Sequence, residues 1–438
     1  MLAQADTKDR RENMGEDKEI LRVALAGLNT GSRQDFDLGM QELSELARAC
    51  DMQVEAVFVQ NLDKPVAATY IGQGKAGEIN EAAEALELDT VIFEDTLSPA
   101  QLKNLQRIIS VRIMDRTGLI LEIFSKRAKT REARLQVEAA NLQYMLPRLI
   151  GMWEAIGRQG GGSGSKSNKG IGETQLELDR RWIQKRMTEL DRELEAIEHD
   201  RTVQRGKREK SQLPLVALVG YTNAGKSTIM NALLSRSKAD EEKRVFEKDM
   251  LFATLDTQVR YIRQPDKKDF LLSDTVGFVN RLPHSLIKAF RTTLDEIRYA
   301  DLLLEIVDYS DDRHEEQMRV TAETLREIGA DKIPIIHVMN KIDKYTQGQL
   351  EPGERRDRIF ISAAENKGLD TLLDRIKAEV YVGMRVEKFL IPYDQGKYVS
   401  LLNEKARVLK QEYVQEGVLI RAEVTEKLSG MLEMVKVP

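Results

Sequence analysis

Short apolar runs alternate with longer amphipathic stretches over the first 125 residues. Leu21–Ala26, Val54–Val59, Thr90–Glu94 and Val111–Met114 read as strands, and Phe36–Ala49, Ala76–Ala85 and Ala100–Ile109 as helices. This alternation predicts a small parallel sheet with helices on its faces. Gly27 and Gly31 follow the first run, and Gly72, Gly74 and Gly77 make a second glycine-rich turn. Neither gives a full GxGxxG with an acidic partner, so both read as tight strand–helix turns.

The period then changes. Leu135, Leu142, Leu149 and Ile156 lie seven apart, with Ala139, Leu146 and Trp153 four residues after the first three. That is a coiled-coil seam, which Pro147 is expected to kink or restart. A second seam runs through Leu176, Ile183, Met187, Leu190, Leu194 and Ile197. Between them, residues 157–172 hold seven glycines with Lys166 and Lys169. Two striped helices joined by such a loop predict an antiparallel hairpin with the glycines at its tip. The loop reads either as a floppy linker or as a tip that orders on a partner. Tyr144, Trp153, Arg158, Arg180, Arg181 and Trp182 around it suit RNA bases and phosphates and favour the second reading. Residues 201–212 are polar and basic and read as a hinge. Leu213–Leu218 begins the next domain, which ends near Val382, and Val216–Val219 reads as a buried strand. In the remainder Phe389–Ile391 and Val418–Val424 are strand-like and Tyr398–Leu409 is helical.

The expected fold is thus α/β and multidomain. Residues 1–17 form a polar N-terminus, 18–125 a parallel α/β subdomain and 126–212 the helical hairpin. Residues 213–382 form a doubly wound domain and 383–438 a small α+β domain. The chain of 438 residues has ordinary hydrophobic content (41%), so several cores are within reach. Cys50 is the only cysteine, which excludes an internal disulfide and a cysteine-rich metal site. No apolar run resembles a signal peptide or approaches a membrane span, so a soluble cytoplasmic protein without integral membrane association is expected. Net charge is −5, but it is unevenly spread. Residues 1–100 carry 9 basic against 20 acidic side chains, and residues 101–186 carry 17 against 8. The basic stretch suits a polyanion, or else is the solvated face of a helix pair.

Four motifs carry the chemistry. Gly220-Tyr221-Thr222-Asn223-Ala224-Gly225-Lys226-Ser227 matches G-x-x-x-x-G-K-[ST], and Thr228 continues into a helix. Its glycines let the backbone approach phosphates, and successive N–H groups make an anion nest. Lys226 is expected to reach the β- and γ-phosphates, and Ser227 to place its hydroxyl on Mg²⁺. Asp274-Thr275-Val276-Gly277 follows an apolar strand: Asp274 is the Mg²⁺-side acid, acting through a water, and the Gly277 amide senses the γ-phosphate. Loss of that phosphate is expected to loosen Phe278–Phe290. Between these motifs, Leu251-Phe252-Ala253-Thr254-Leu255-Asp256-Thr257 should supply a threonine to the Mg²⁺ shell. Thr254 is the first candidate and Thr257 the second. Asn340-Lys341-Ile342-Asp343 reads guanine, because the Asp343 carboxylate accepts from N1–H and N2–H₂ of guanine, donors that adenine lacks. Asn340 braces the loop, and the backbone of Ser362-Ala363-Ala364 donates to O6. Many regulatory GTPases place Gln directly after DxxG to orient water; here that residue is Phe278. Hydrolysis is therefore expected to be slow alone and accelerated by a partner. Asn223 offers a second route, since in related GTPases lacking the glutamine an Asn there coordinates K⁺.

Arg158-Gln159-Gly160-Gly161-Gly162, Gly172-Glu173-Thr174-Gln175-Leu176 and Asp179-Arg180-Arg181 resemble the signature of the HflX GTPases. Phe252-Ala253-Thr254-Leu255-Asp256 and Asp274-Thr275-Val276-Gly277-Phe278 are similar to that family too. The resemblance implies GTP and Mg²⁺ as ligands and a GTPase that binds the large ribosomal subunit. It implies that the hairpin loop, with Arg158, Arg180 and Arg181, reaches 23S rRNA near the peptidyl transferase centre. It further implies splitting of stalled ribosomes under stress, by a protein expected to act as a monomer, and antibiotic resistance in some members. ATP binding by the N-terminal domain belongs to the same family picture, although nothing in residues 18–125 reads as that site. The alternatives are a large-subunit assembly GTPase and a signalling switch that recruits a protein effector through the coiled coil.

Overall fold

A computed structural model describes residues 20–31, 36–159, 166–211, 213–237, 258–266, 268–275, 277–279, 296–345 and 350–437. The chain separates into two compact units. One is Met1–Lys126 with Glu138–Glu189, and the other is Arg127–Val137 with Leu190–Pro438.

In the first unit β1 (Leu21–Asn29), β2 (Met52–Asn61), β3 (Thr90–Phe93) and β4 (Arg112–Asp115) form an all-parallel sheet of order β2-β1-β3-β4. Val23 to Leu28 of β1 are continuously buried, as a strand covered on both faces must be. Edge strand β2 instead alternates and leaves Val57 and Val59 exposed. Helices α1 (Phe36–Ala49), α2 (Gln73–Ala85), α3 (Pro99–Leu105) and α4 (Arg116–Arg127) connect and cover the strands. Ser98 starts α3 with a reciprocal capping box to Gln101, and Pro99 holds its first position. That helix stops at Leu105, short of the expected Ile109. Gly27 lies inside β1 rather than after it. A Cβ there would strike Met40 Sδ at 2.4 Å, so this glycine serves close packing of α1 on the strand.

Helices α5 (Arg131–Gln159) and α6 (Lys166–Ser211) follow. In the first unit Glu138 takes a bidentate pair from Arg186, at 2.6 and 2.9 Å. In the second, Glu132 pairs with Arg201 at 2.7 Å and Arg131 with Glu193 at 2.8 Å. Seam residues Leu135, Ala139, Ile183 and Leu190 are buried. Three expectations need correction. The helix is not restarted at Pro147; the Arg148 guanidinium donates to Tyr144 O at 2.8 Å, one position from the carbonyl that proline cannot serve. The loop expected over 157–172 is narrower, because helix runs to Gln159 and resumes at Lys166; residues 160–165 lie outside the described set. The hinge expected at 201–212 is helical to Ser211. Its Arg, Lys, Glu and Gln are strong helix formers without any proline, and polarity alone does not break a helix.

The second unit holds a seven-stranded sheet of order β10-β11-β9-β8-β5-β7-β6. It comprises β5 (Leu215–Val219), β6 (Gln258–Ile262), β7 (Phe270–Asp274), β8 (Leu302–Asp308), β9 (Ile335–Asn340), β10 (Gly353–Arg355) and β11 (Arg358–Phe360). Strands β7, β5, β8, β9 and β11 are parallel neighbours, and β6 and β10 pair antiparallel at the edges. Helices α7 (Lys226–Arg236), α8 (His314–Glu327) and α9 (Leu369–Val380) accompany it. Val216, Leu218, Leu304, Ile306 and Val338 pack with α7 and α9 in one core layer, and Ala217, Val219 and Leu303 face a second core. This is the doubly wound sheet expected.

The C-terminal sheet has order β13-β14-β12-β15, all antiparallel. Its strands are β12 (Arg385–Ile391), β13 (Arg407–Val414), β14 (Gly417–Val424) and β15 (Lys436–Val437), with α10 (Gly396–Lys405) and α11 (Glu426–Met431). Phe389, Ile391, Ile420 and Val424 pack against Leu402 and Leu428 of these helices. The helix expected over Tyr398–Leu409 ends at Lys405, and Arg407 begins β13. As an exposed edge strand, β13 shows no apolar alternation to betray it. Among the described residues no helix is long and apolar enough to cross a membrane.

Candidate functional site

The motifs meet because each follows a parallel strand at its C-terminal end, where open α/β sheets bind ligands. The phosphate loop follows β5, DxxG follows β7, NKxD follows β9, and Ser362-Ala363 follows β11.

The phosphate loop takes a backbone that side chains resist. Gly220 has φ +135°, Asn223 +62° and Gly225 +96°. A Cβ on Gly220 would sit 2.3 Å from Ile306 O, and one on Gly225 2.3 Å from Asn340 Nδ2. Both positions therefore require glycine twice over, for dihedral and for space. The Lys226 ammonium is buried and donates back to the carbonyls of Gly220 at 3.1 Å and Tyr221 at 2.8 Å. Burial pushes its pKa down to about 8; the neighbouring Asp274 carboxylate opposes this and Lys341 adds to it. A cation stripped of water at the mouth of an anion nest is the electrostatic fit for a polyphosphate. Ser227 Oγ lies 2.8 Å from Asp274 Oδ2, and Asp274 is fully buried. A hydroxyl and a carboxylate converging in this way form a hard oxygen donor set of the kind Mg²⁺ takes. Thr275 Oγ1 anchors the next turn by donating to Leu218 O at 2.6 Å. A Cβ on Gly277 would meet Lys226 Nζ at 2.9 Å and Thr222 Cγ2 at 2.7 Å, so glycine keeps DxxG against the loop.

Phe278 differs from a water-orienting residue in direction as well as chemistry. Its ring is 2% exposed and packs with Leu215, Ala217, Val219, Ile297 and Leu303. Its backbone donates to Gly220 O at 3.1 Å and accepts from Thr222 N at 2.8 Å. Phosphate loop and DxxG segment are thereby tied through main chain.

On the base side, Asn340 is buried and bridges two loops. Its Nδ2 donates to Ala224 O at 2.9 Å, and its Oδ1 accepts from Ala363 N at 3.0 Å. Asp343 lies exposed in a short 3₁₀ turn, Ile342–Lys344, with buried Ile342 beneath it. Lys341 has φ +64°, and its ammonium pairs with Asp308 Oδ2 at 2.7 Å. Asp308 Oδ1 takes the N–H and hydroxyl of Ser310 at 3.1 and 2.6 Å. Sequence reading missed Asp308, although the signal was there: like Asp274, it is an acid that ends an apolar strand. Ser362 and Ala363 are buried, and Ser362 pairs with Lys367 through main chain in both directions. Thus Gly220 to Thr228, Asp274, Thr275, Gly277, Asn340 to Asp343 and Ser362 to Ala364 are brought to one edge of the sheet. The segment Phe252, Ala253, Thr254, Leu255 and Asp256, with Thr257, lies outside the described residues, as does Val276. On the hairpin, Arg180 and Arg181 are exposed and Trp182 is 62% exposed; the Arg158 side chain is not among those described.

Family models match three consecutive stretches of the chain. "GTP-binding GTPase N-terminal" matches residues 37–125, "GTP-binding GTPase Middle Region" 127–208 and "50S ribosome-binding GTPase" 215–341. The GTPase HflX of Caldanaerobacter subterraneus subsp. tengcongensis is 40% identical over 97% of this chain and 95% of its own length. That of Escherichia coli K12 is 38% identical over 88% and 89%. Among solved structures, a GTP-binding protein from the archaeon Sulfolobus solfataricus in complex with GDP covers 82% of this chain and 99% of its own. Its TM-score is 0.43 at 25% identity.

Proposed function

Since the chain belongs to the HflX family of GTPases and hydrolyses GTP, we propose that it is a cytoplasmic factor that uses GTP to dock on the large ribosomal subunit and separate stalled or idle ribosomes into subunits. The observation that carries this reading is the hairpin surface. Trp182, a large aromatic, is left uncovered among Arg180, Arg181 and Lys185, all exposed. An uncovered indole beside cations suits stacking and phosphate contacts on RNA. The description of the matching family model, a 50S ribosome-binding GTPase, supports the same partner.

At the nucleotide site the proposed roles follow from geometry. Lys226 and the loop N–H groups hold the β- and γ-phosphates, and a phosphate restores to Lys226 the stabilisation that burial removes. Ser227 and Asp274 hold Mg²⁺, with Thr254 the proposed third protein group; bound there, the ion neutralises charge on the phosphates. Asp343 reads guanine, Lys341 lies along the base under the control of Asp308, and the Ala363 region closes on O6. Phe278 faces the core, so water must be oriented by something else. Asn223, at the loop apex with a left-handed backbone, is the proposed K⁺ ligand. Equal turnover in Na⁺ and K⁺, with large subunits present, removes that role.

Sedimentation tests the function. Intact ribosomes incubated with the protein and GTP should resolve into free subunits on a density gradient, and GDP should leave them intact. An assembly GTPase would bind immature large subunits and leave intact ribosomes unsplit, so unsplit particles with GTP overturn the proposal.

A further inference from the structure

Thr222 follows Gly220 and Tyr221 in the phosphate loop and is buried, at 5% exposure. Its amide donates to Phe278 O at 2.8 Å, which ties the residue to the DxxG segment. Its methyl branch covers Gly277: a Cβ on that glycine would meet Thr222 Cγ2 at 2.7 Å and Lys226 Nζ at 2.9 Å. Thr222 therefore stands beside the two groups assigned to the γ-phosphate, the Gly277 amide and the Lys226 ammonium.

The hydroxyl branch is buried as well, and among the described residues its Oγ1 has no hydrogen-bond partner. Three other buried threonines of the same unit are treated differently. Thr275, Thr321 and Thr324 donate to main-chain carbonyls at 2.6, 3.0 and 2.9 Å. An unsatisfied buried hydroxyl destabilises the fold, and valine would fill the same space without that penalty. A local rule broken in this way is expected where function requires it.

We propose that Thr222 orients the attacking water for GTP hydrolysis, the task that Phe278 cannot perform; this rests on the nucleotide-site roles given above. Oγ1 accepts one O–H of the water and directs its own proton to a γ-phosphate oxygen. The lone pair of the water is thereby aimed at the γ-phosphorus. The new O–P bond forms as the bond from that phosphorus to the β,γ-bridging oxygen breaks, and the bonding pair stays on the bridging oxygen of GDP. One proton of the water stays on the attacking oxygen and the other passes to a γ-phosphate oxygen, so the leaving phosphate carries both. Thr222 ends with the proton it began with. It supplies direction and no charge, which leaves charge stabilisation to a cation or a partner.

The test compares full-length Thr222→Val and Thr222→Ser with wild type. The readouts are GTP turnover, affinity for GDP and for a non-hydrolysable GTP analogue, and melting temperature without nucleotide. Thr222→Val keeps the branch over Gly277 and removes the hydroxyl. Its kcat is expected to fall by about 10²-fold, the loss that a misplaced reactant carries. KM and both affinities should stay within about threefold, the pattern of an interaction made only in the transition state. Its melting temperature should be equal or higher, because a buried hydroxyl without a partner has gone. Thr222→Ser keeps the hydroxyl and should retain most of the wild-type kcat. A wild-type kcat in Thr222→Val overturns the proposal. So does a kcat in Thr222→Ser as low as that of Thr222→Val, which makes the methyl branch the operative one. A joint loss of nucleotide affinity and melting temperature in Thr222→Val makes the role structural and overturns it too. Added large ribosomal subunits separate this from the function proposed above. Wild-type turnover that ignores subunits removes the ribosomal role, while the ratio of Thr222→Val to wild type without subunits still decides Thr222.

Discussion

Replacing Phe278 by Gln restores the residue that many regulatory GTPases carry directly after DxxG. Sequence logic alone says that intrinsic hydrolysis should rise. The structure says the opposite. The Phe278 ring lies in a core with Val219, Ile297 and Leu303, at 2% exposure. Its backbone is fixed to the phosphate loop by hydrogen bonds of 3.1 and 2.8 Å. With the main chain held, a Gln side chain enters the same core. Removing the buried ring forfeits about 2–3 kcal/mol of apolar burial, and the amide adds about 1–3 kcal/mol where it finds no partner. The expected cost is about 3–6 kcal/mol, in a region that also shapes the phosphate loop. Single-turnover hydrolysis of GTP should therefore stay at or below the wild-type rate, while amides of β5 and β7 lose protection in hydrogen exchange. A tenfold or greater gain in intrinsic rate, with exchange unchanged, would show that this side chain faces the phosphates and would refute the argument.

Asp343→Asn is expected to shift preference from guanine toward xanthine nucleotides by several orders of magnitude; competition binding with GDP and XDP reads it, and an unchanged preference means the base is read elsewhere. Asn340→Ala leaves Ala224 O and Ala363 N without their partner, at about 1–3 kcal/mol each. Exchange at the Ala363 amide should accelerate and GDP affinity drop by tenfold or more, whereas normal protection at Ala363 contradicts the bridge. Asp308→Asn weakens the hold on Lys341 and should speed GDP release in stopped-flow fluorescence while Ser310 keeps its partner; an unaltered release rate removes Asp308 from the site. Trp182→Ala should reduce large-subunit affinity with no change in basal GTP turnover, by about 1–3 kcal/mol if the indole stacks on a base; undiminished binding excludes that contact.

How much was legible varies with the range of the interaction. Gly220 to Ser227, Asp274 and Asn340 to Asp343 are contiguous motifs whose spacing fixes what the backbone can do, and they sit together on the sheet edge. Asp308 is different. It acts because β8 and β9 run in register and put it opposite Asn340, a fact no local window contains. The direction of Phe278 was also invisible, since a Phe after DxxG tells what is missing but not where the ring goes. Local rules misled at residues 201–211, where charge and polarity suggested a hinge although most of the side chains, Arg, Lys, Glu and Gln, favour helix. They misled at Arg407–Leu409 for the reverse reason: Val408 and Leu409 stand side by side instead of alternating, yet this edge strand is held by its neighbour β14 through main chain.

GTP turnover measured with and without purified large ribosomal subunits bears most directly on the idea that this nucleotide site answers to RNA. The low intrinsic rate expected from the absence of a water-orienting glutamine should rise by about 10³-fold or more when subunits supply the missing stabilisation. Turnover that is indifferent to subunits across the same concentration range would contradict the account.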